Sequence, residues 1–230
     1  MTDIAAFDFD GTLTTGGSVL PFLVAVSDRS TVASAIAALW PRLLHAALSG
    51  GSVADQGKED LFERVLAGVT VDRLNSVSAA FTPDHLARHL RADVQRRFDW
   101  HRHRGDRVAI VSASPECYVG EAGVRLGADA VIATRLEVAS NGSLTGRYDG
   151  KNCRGQEKVR RLHEWMGEGE PDQRLWAYGN SRGDLRMLSA ADVGVNVGRL
   201  GMLGRLRHFD ELGGTPPIEP TERGQPTSGW

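Results

Sequence analysis

Near its amino end the chain runs from an apolar tetrapeptide straight into two carboxylates: Ile4-Ala5-Ala6-Phe7-Asp8-Phe9-Asp10-Gly11-Thr12-Leu13-Thr14. A short, unbroken apolar run is what a strand buried on both faces requires. Asp8 and Asp10 stand two residues apart where that strand ends, and Gly11-Thr12 turns the chain. In open α/β sheets the reactive crevice lies beyond the carboxyl ends of the strands. Burying one carboxylate there is costly, and burying two side by side raises at least one pKa unless a cation intervenes. The usual solution is a metal ion.

After Thr14 the apolar spacing changes to a helical one and stays so to about Phe98. Thr31 is placed to cap a helix with Val32, Ile36, Leu39 and Leu43 on one stripe. Leu61, Phe62, Val65 and Leu66 mark a second helix, and Val71, Leu74, Val77 and Phe81 a third. Thr82-Pro83 supplies a cap and a first-turn proline for a further helix through Leu86, Leu90, Val94 and Phe98. From Arg107 the rhythm alternates between strand and helix. Val108–Val111, Ala130–Ile132, Leu175–Tyr178 and Val193–Val197 read as strands, with a hairpin over Leu136–Tyr148 turning at Asn141-Gly142. Helices are expected after Ser114-Pro115, from about Arg154 to Met166, and around Leu185 and Leu188. The fold class that follows is α/β: a doubly wound, Rossmann-like parallel sheet with an all-helical insertion after its first strand. Residues 1–14 plus 96–212 are assigned to the core, 15–95 to a helical cap, and 213–230, rich in proline and glycine, to a disordered tail.

Three later segments carry chemistry. Val108–Val111 ends in Ser112-Ala113-Ser114, where a hydroxyl and backbone N–H groups at a helix start can hold a phosphate oxygen. Ser112 with Ala113 is taken for that role, and Ser114 before Pro115 as the helix cap. Asn152-Cys153-Arg154-Gly155-Gln156-Glu157-Lys158 offers two cations four residues apart, on one helix face. Tyr178-Gly179-Asn180-Ser181-Arg182-Gly183-Asp184 follows a strand and offers oxygen ligands.

Asp8-Phe9-Asp10-Gly11-Thr12, followed in order by these three segments, resembles the signature of the haloacid-dehalogenase-like hydrolases. The helical block directly after the first motif resembles their phosphoserine-phosphatase-like branch. The resemblance implies a Mg²⁺-dependent phosphatase working through an aspartyl-phosphate. It makes Asp8 the nucleophile, Asp10 the general acid and base, and Ser112 a phosphate ligand. Lys158 is favoured for the motif lysine, with Arg154 as its competitor or helper. The metal would be held by Asp8, the Asp10 backbone carbonyl, Asp184 and Asn180. The family's usual acid at the first position of the last motif is Asn180 here, which brings an amide oxygen but no charge. Asp10 argues against dehalogenation.

The substrate is less legible. Serine-specific members carry a glutamate nine residues after the nucleophile, and Gly17 stands there. Their cap arginine has no single equivalent among Arg29, Arg42 and Arg64. A small phosphorylated metabolite is the expected substrate. A lipid phosphate handled at a membrane surface is the alternative, because Val19–Val26 and Val32–Leu48 are apolar, although such helices more often form a cap core. A catalytically weak, ligand-binding member of the family is the third reading. A formal charge of -2 gives no reason to expect nucleic acid as a partner. Cys117 and Cys153 read as reduced thiols, and the chain enters a strand at once with no signal peptide, so the cytoplasm is the expected compartment. His101-Arg102-His103-Arg104 reads as a solvated helix terminus.

Overall fold

The structure is a computed structural model, and it describes residues 2–49, 51–167, 173–198 and 210–211. Strand β1 (Ile4–Phe7) is fully buried and lies inside a six-stranded sheet whose order is β3 (Ala130–Thr134), β2 (Arg107–Pro115), β1, β6 (Leu175–Gly179), β7 (Val193–Asn196), β8 (Asp210–Glu211). Its neighbours β2 (Arg107–Pro115) and β6 (Leu175–Gly179) both run parallel to it. β3 (Ala130–Thr134) and β7 (Val193–Asn196) continue the parallel sheet outward. Alternation along the strands divides the core into two layers. Ala5, Phe7, Val108 and Ile110 pack with Phe98, Tyr118 and Val119, whereas Ile4, Ala6, Ala109 and Val111 pack with Val159, Leu162, Met187 and Leu188. The first layer belongs to α5 (Ala92–His103) and α6 (Glu116–Leu126), the second to α7 (Gln156–Met166) and α8 (Leu185–Ala190). This is the expected doubly wound architecture.

The sixth strand, β8 (Asp210–Glu211), pairs with β7 and was not legible. Two acidic residues offer no apolar run by which a strand could be read. The segment 213–230 assigned to a tail lies outside the described residues.

Among the described residues four helices lie between β1 and α5: α1 (Val19–Val26), α2 (Arg29–Ser49), α3 (Gly51–Leu66) and α4 (Val71–His89). Two boundaries differ from expectation. The first turn of α2 is capped by Asp28, whose Oδ1 accepts from the Thr31 amide at 2.9 Å, so Thr31 is inside the helix. Pro83 lies within α4 and does not open a new helix. Thr82 is mid-helix, its hydroxyl donating to the Ser78 carbonyl at 2.8 Å. The break falls at Leu90 instead, where the turn after β1 takes over the backbone: Thr15 N donates to His89 O, and Arg91 N to Leu13 O. Tertiary hydrogen bonds, not proline, end the helix. The apolar helices are split between two environments. Phe22, Leu23, Val26, Val32 and Leu39 are buried, whereas Trp40, Leu44 and Leu48 are exposed along α2.

The expected hairpin forms from β4 (Leu136–Val138) and β5 (Leu144–Tyr148), with Gly142 at positive φ in its turn. It leans on α3. A Cβ at Gly146, whose φ is +84°, would sit 2.3 Å from the Glu63 Cα, so backbone meets backbone there.

Candidate active site

The carboxyl end of β1 delivers Asp8 into a buried cluster. Its Oδ1 accepts from Lys158 Nζ at 2.6 Å, and its Oδ2 from the Thr12 hydroxyl at 2.9 Å. Lys158, on the first turns of α7, also donates to Asp184 Oδ1 at 2.6 Å and to the Val111 carbonyl at 2.7 Å. Asp8, Lys158 and Asp184 are all nearly inaccessible to solvent. Burial first, and then the Asp184 carboxylate, push the Asp8 carboxyl well above its ordinary range. Burial also opposes the charge on Lys158 and Asp184, but their mutual attraction wins: the lysine is held charged and the Asp184 carboxyl is pulled down. One ammonium between two carboxylates leaves the cluster short of positive charge, and Asp8 carries the deficit.

Asp10 faces the other way. Its Oδ1 accepts from the Ser18 amide at 2.9 Å, at the start of α1, and its Oδ2 from the Ser114 hydroxyl at 2.5 Å. The side chain is thereby aimed toward the helical insertion, and only its backbone carbonyl remains for the metal role assigned above. Gly11 follows with φ +78°, and a Cβ there would strike Asn180 Nδ2 at 2.0 Å. The turn therefore requires glycine, and its bareness lets Asn180 lie against it. Asn180 Oδ1 receives only a long contact from Thr12, 3.4 Å. Asp184 Oδ2 is engaged by the Ser181 hydroxyl at 2.7 Å and by the amides of Ser181 and Asn180 at 3.0 and 3.3 Å.

Ser112 lies buried at the end of β2, its Oγ accepting from the Ser114 amide at 3.0 Å. Ala113 turns its carbonyl to Thr134 and to Lys58. Lys158 and Arg154 separate clearly. Lys158 bonds Asp8, whereas Arg154 Nη1 lies 3.5 Å from Asp55 on α3 and 3.4 Å from the Gly51 carbonyl.

Ser114 is not the cap it was taken for. Pro115 holds that position without a side-chain bond, and Ser114 holds Asp10. The signal was present in Ser112-Ala113-Ser114, since residues two apart on a strand share a side. Lys58 was missed altogether, because its position depends on where α3 docks. The basic run 101–104 is corrected too. His101 is buried, its ring nitrogens 2.8 Å from Asp106 Oδ2 and from the Tyr178 hydroxyl, and Arg104 pairs with Asp3 at 3.0 Å. The run does end the helix before the Gly105-Asp106 turn, and Arg102 and His103 are solvated there, but His101 and Arg104 turn inward against the sheet.

Among the described residues no three His, Cys, Asp or Glu side chains converge on a metal position. The donors at this site are of mixed kind: the Asp8 and Asp184 carboxylates, the Asn180 amide oxygen and the Asp10 carbonyl. All are hard oxygens, which suit Mg²⁺. The set fits such an ion.

A family model described as haloacid dehalogenase-like hydrolase matches residues 5–189. The chain belongs to that family. Protein CicA of Caulobacter vibrioides (strain NA1000 / CB15N) is 37% identical over 195 residues, spanning 82% of this chain and 83% of the relative. A histidinol-phosphatase of Neisseria meningitidis serogroup C is 26% identical over 136 residues, 57% of this chain and 61% of that one. A substrate-bound phosphoserine phosphatase structure superposes with a TM-score of 0.62 at 20% identity, covering 86% of each chain.

Proposed function

We propose that this phosphoric monoester hydrolase is a Mg²⁺-dependent phosphatase that cleaves a small organic phosphate through an aspartyl-phosphate on Asp8. The observation that carries the reading is the division of labour at the end of β1. Asp8 is held by Lys158 and Thr12 in a buried pocket, while Asp10, two residues on, is turned toward the helical insertion. An Asp8 oxygen attacks phosphorus, the phosphorus–oxygen ester bond breaks, and Asp10 gives its proton to the departing oxygen. Asp10 then takes a proton from the water that attacks the phosphorus of the aspartyl-phosphate, which frees Asp8 and inorganic phosphate. Ser112 Oγ, the backbone at Ala113 and Lys158 hold the phosphoryl oxygens, and Thr12 fixes the Asp8 carboxylate plane.

Asp8, the Asp10 carbonyl and either Asp184 or Asn180 would hold the cation, which when bound offsets charge on the phosphoryl oxygens. Residues 15–95 act as the cap over this pocket. Two unpaired thiols suit a reducing compartment, and the enzyme is assigned to the cytoplasm. The direct test is release of inorganic phosphate from a panel of phosphomonoesters, with and without Mg²⁺, by wild type and Asp8→Asn. Metal-dependent release that vanishes in Asp8→Asn is expected. Tight phosphate-ester binding without turnover at any Mg²⁺ concentration overturns the reading in favour of a binding protein, with Asn180 as the reason. A lipid phosphate is a second reading, favoured by the exposed Trp40, Leu44 and Leu48 of α2. Preference for long-chain phosphates together with liposome association would establish it.

A further inference from the structure

The two carboxyl oxygens of Asp10 are held from different parts of the fold. Ser18, just before α1, presents its amide to Oδ1 at 2.9 Å. Ser114, near the end of β2, presents its hydroxyl to Oδ2 at 2.5 Å. Behind both serines stands Tyr118 on α6. Its phenol oxygen lies 2.8 Å from Ser18 Oγ, and the phenol also interacts with the Ser114 side chain. Tyr118 is 1% exposed, Ser18 0% and Ser114 3%, so no bulk water serves these hydroxyls. The ring is wedged between core and insertion, its centre 4.4 Å from that of Phe22 on α1 and 5.6 Å from that of Phe81 on α4. Apolar packing of this kind needs only the ring. A hydroxyl buried there is costly unless it is bonded, and its partners are the two residues that grip Asp10.

We propose that Tyr118 is the positioning residue for proton delivery by Asp10, fixing the carboxyl group through Ser18 and Ser114 without touching the substrate. The inference rests on the phosphatase reading of the same site. The direction of each hydrogen bond follows from the donors present. With Asp10 ionised, Ser114 gives its only hydroxyl proton to Oδ2, so toward Tyr118 its oxygen can only accept. The phenol then donates to Ser114 and accepts from the Ser18 hydroxyl. The run Ser18, Tyr118, Ser114, Asp10 is thus polarised one way, and each bond reinforces the next. Burial, and after it the Asp10 carboxylate, hold the phenol protonated well beyond the ordinary tyrosine range, so it stays a donor. The carboxyl plane of Asp10 is therefore set by two serines, and the serines by one phenol. A general acid works only where its proton meets the leaving oxygen within hydrogen-bond reach, so lost orientation lowers the rate of that step.

The test uses the full chain with Mg²⁺ and three esters: 2,4-dinitrophenyl, phenyl and propyl phosphate. Dinitrophenolate departs without a proton, whereas the phenyl and propyl oxygens need one. Because kcat/KM covers only the steps up to the aspartyl-phosphate, it reads the acid role of Asp10 alone. Tyr118→Phe keeps the ring and removes one oxygen. It is expected to lower kcat/KM for phenyl and propyl phosphate by about tenfold or more, leaving 2,4-dinitrophenyl phosphate within about twofold of wild type. Ser114→Ala is expected to show the same selective loss, and the double variant to fall well short of the product of the two losses. A loss shared equally by all three esters, no loss on any, or losses that multiply in the double variant overturns the proposal. Should Tyr118→Phe fail to fold, Ser18→Ala deletes the phenol's other partner and reads the same comparison: a selective loss supports the proposal, and an even one overturns it. If wild type releases phosphate from none of the three esters, the phosphatase reading has failed and the positioning role falls with it.

Discussion

Asp3 and Asp8 flank the same four-residue strand and are both buried, at 1% and 6% exposure, yet their carboxyl groups are driven in opposite directions. Asp3 Oδ1 accepts from the Arg174 amide at 3.3 Å, and its Oδ2 from Arg104 at 3.0 Å and the Trp176 indole at 3.4 Å. Burial raises its pKa, but those donors together outweigh it and hold the group below the usual range. Asp8 has a hydroxyl and a lysine that it shares with Asp184, and its carboxyl goes up. Both side chains are shielded from solvent, but Asp8 lies deeper, faces the Asp184 carboxylate and has fewer committed donors. A buried carboxylate with its donors filled is structural. One left short retains affinity for a cation and an electrophile.

The contrast is sharpest in Asp8→Asn and Asp3→Asn. Asp8→Asn should abolish phosphate release by roughly ten-thousandfold, while its thermal midpoint, measured in chelator by calorimetry, stays level or rises. Lys158→Met should silence the enzyme and also lower stability by about 3–5 kcal/mol, since two buried carboxylates then face each other unpaired; urea unfolding measures it. At the other end of the strand, Asp3→Asn is expected to lose about 1–3 kcal/mol with kcat/KM little changed. A stable Asp3→Asn protein with lost activity would break the distinction. Asn180→Asp should lower the Mg²⁺ concentration for half-maximal activity by about tenfold, because it adds a charge to a hard-oxygen site; a Mg²⁺ titration of initial rates checks this.

The smallest effect is in the pH dependence of stability without metal. Asp3, with its folded pKa lowered, contributes stability that is present above the ordinary carboxyl value of 3.8 and is lost as pH falls through the folded value. Asp8, with its folded pKa raised, works the other way: the native state holds the proton more tightly, so stability declines as pH rises from 3.8. His101, lowered mainly by burial, resists protonation when folded and so adds a loss of stability below about pH 6.5. Melting curves in chelator should therefore show a flatter acid limb for Asp3→Asn and a steeper gain toward neutrality for Asp8→Asn.

Legibility in the sequence followed how local each determinant is. The strand Ile4–Phe7, the carboxylates at its end and the order of the four motifs are set by neighbouring residues, and they were readable. So was Lys158, although Arg154 competed with it until the docking of α3 drew Arg154 to Asp55. Pro83 misled because a proline inside α4 reads locally as a start, and the real break at Leu90 depends on hydrogen bonds from a turn about eighty residues earlier in sequence. Ser114 was hidden by a second local meaning, a cap before Pro115. Lys58 left no local mark at all. Its partners Ala113 and Asn152 are distant in sequence, and one charged residue on an amphipathic helix resembles any solvated one. His101 failed for the same reason in reverse: Arg102 and His103 of the basic run are solvated as they looked, but His101 is held inside by Asp106 and Tyr178.

The bare α-carbon at Gly146 has a wider effect than its place in a two-stranded ribbon suggests. On one side it touches the backbone of the helix that carries Lys58; on the other, the chain runs from its strand through Asn152 directly to the helix that carries Lys158. The helix that carries Lys58 and the chain leading to Lys158 are thus spaced from one shared point, main chain against main chain. A methyl group at that point would act as a shim, prising the helical insertion away from the strand that leads to Lys158.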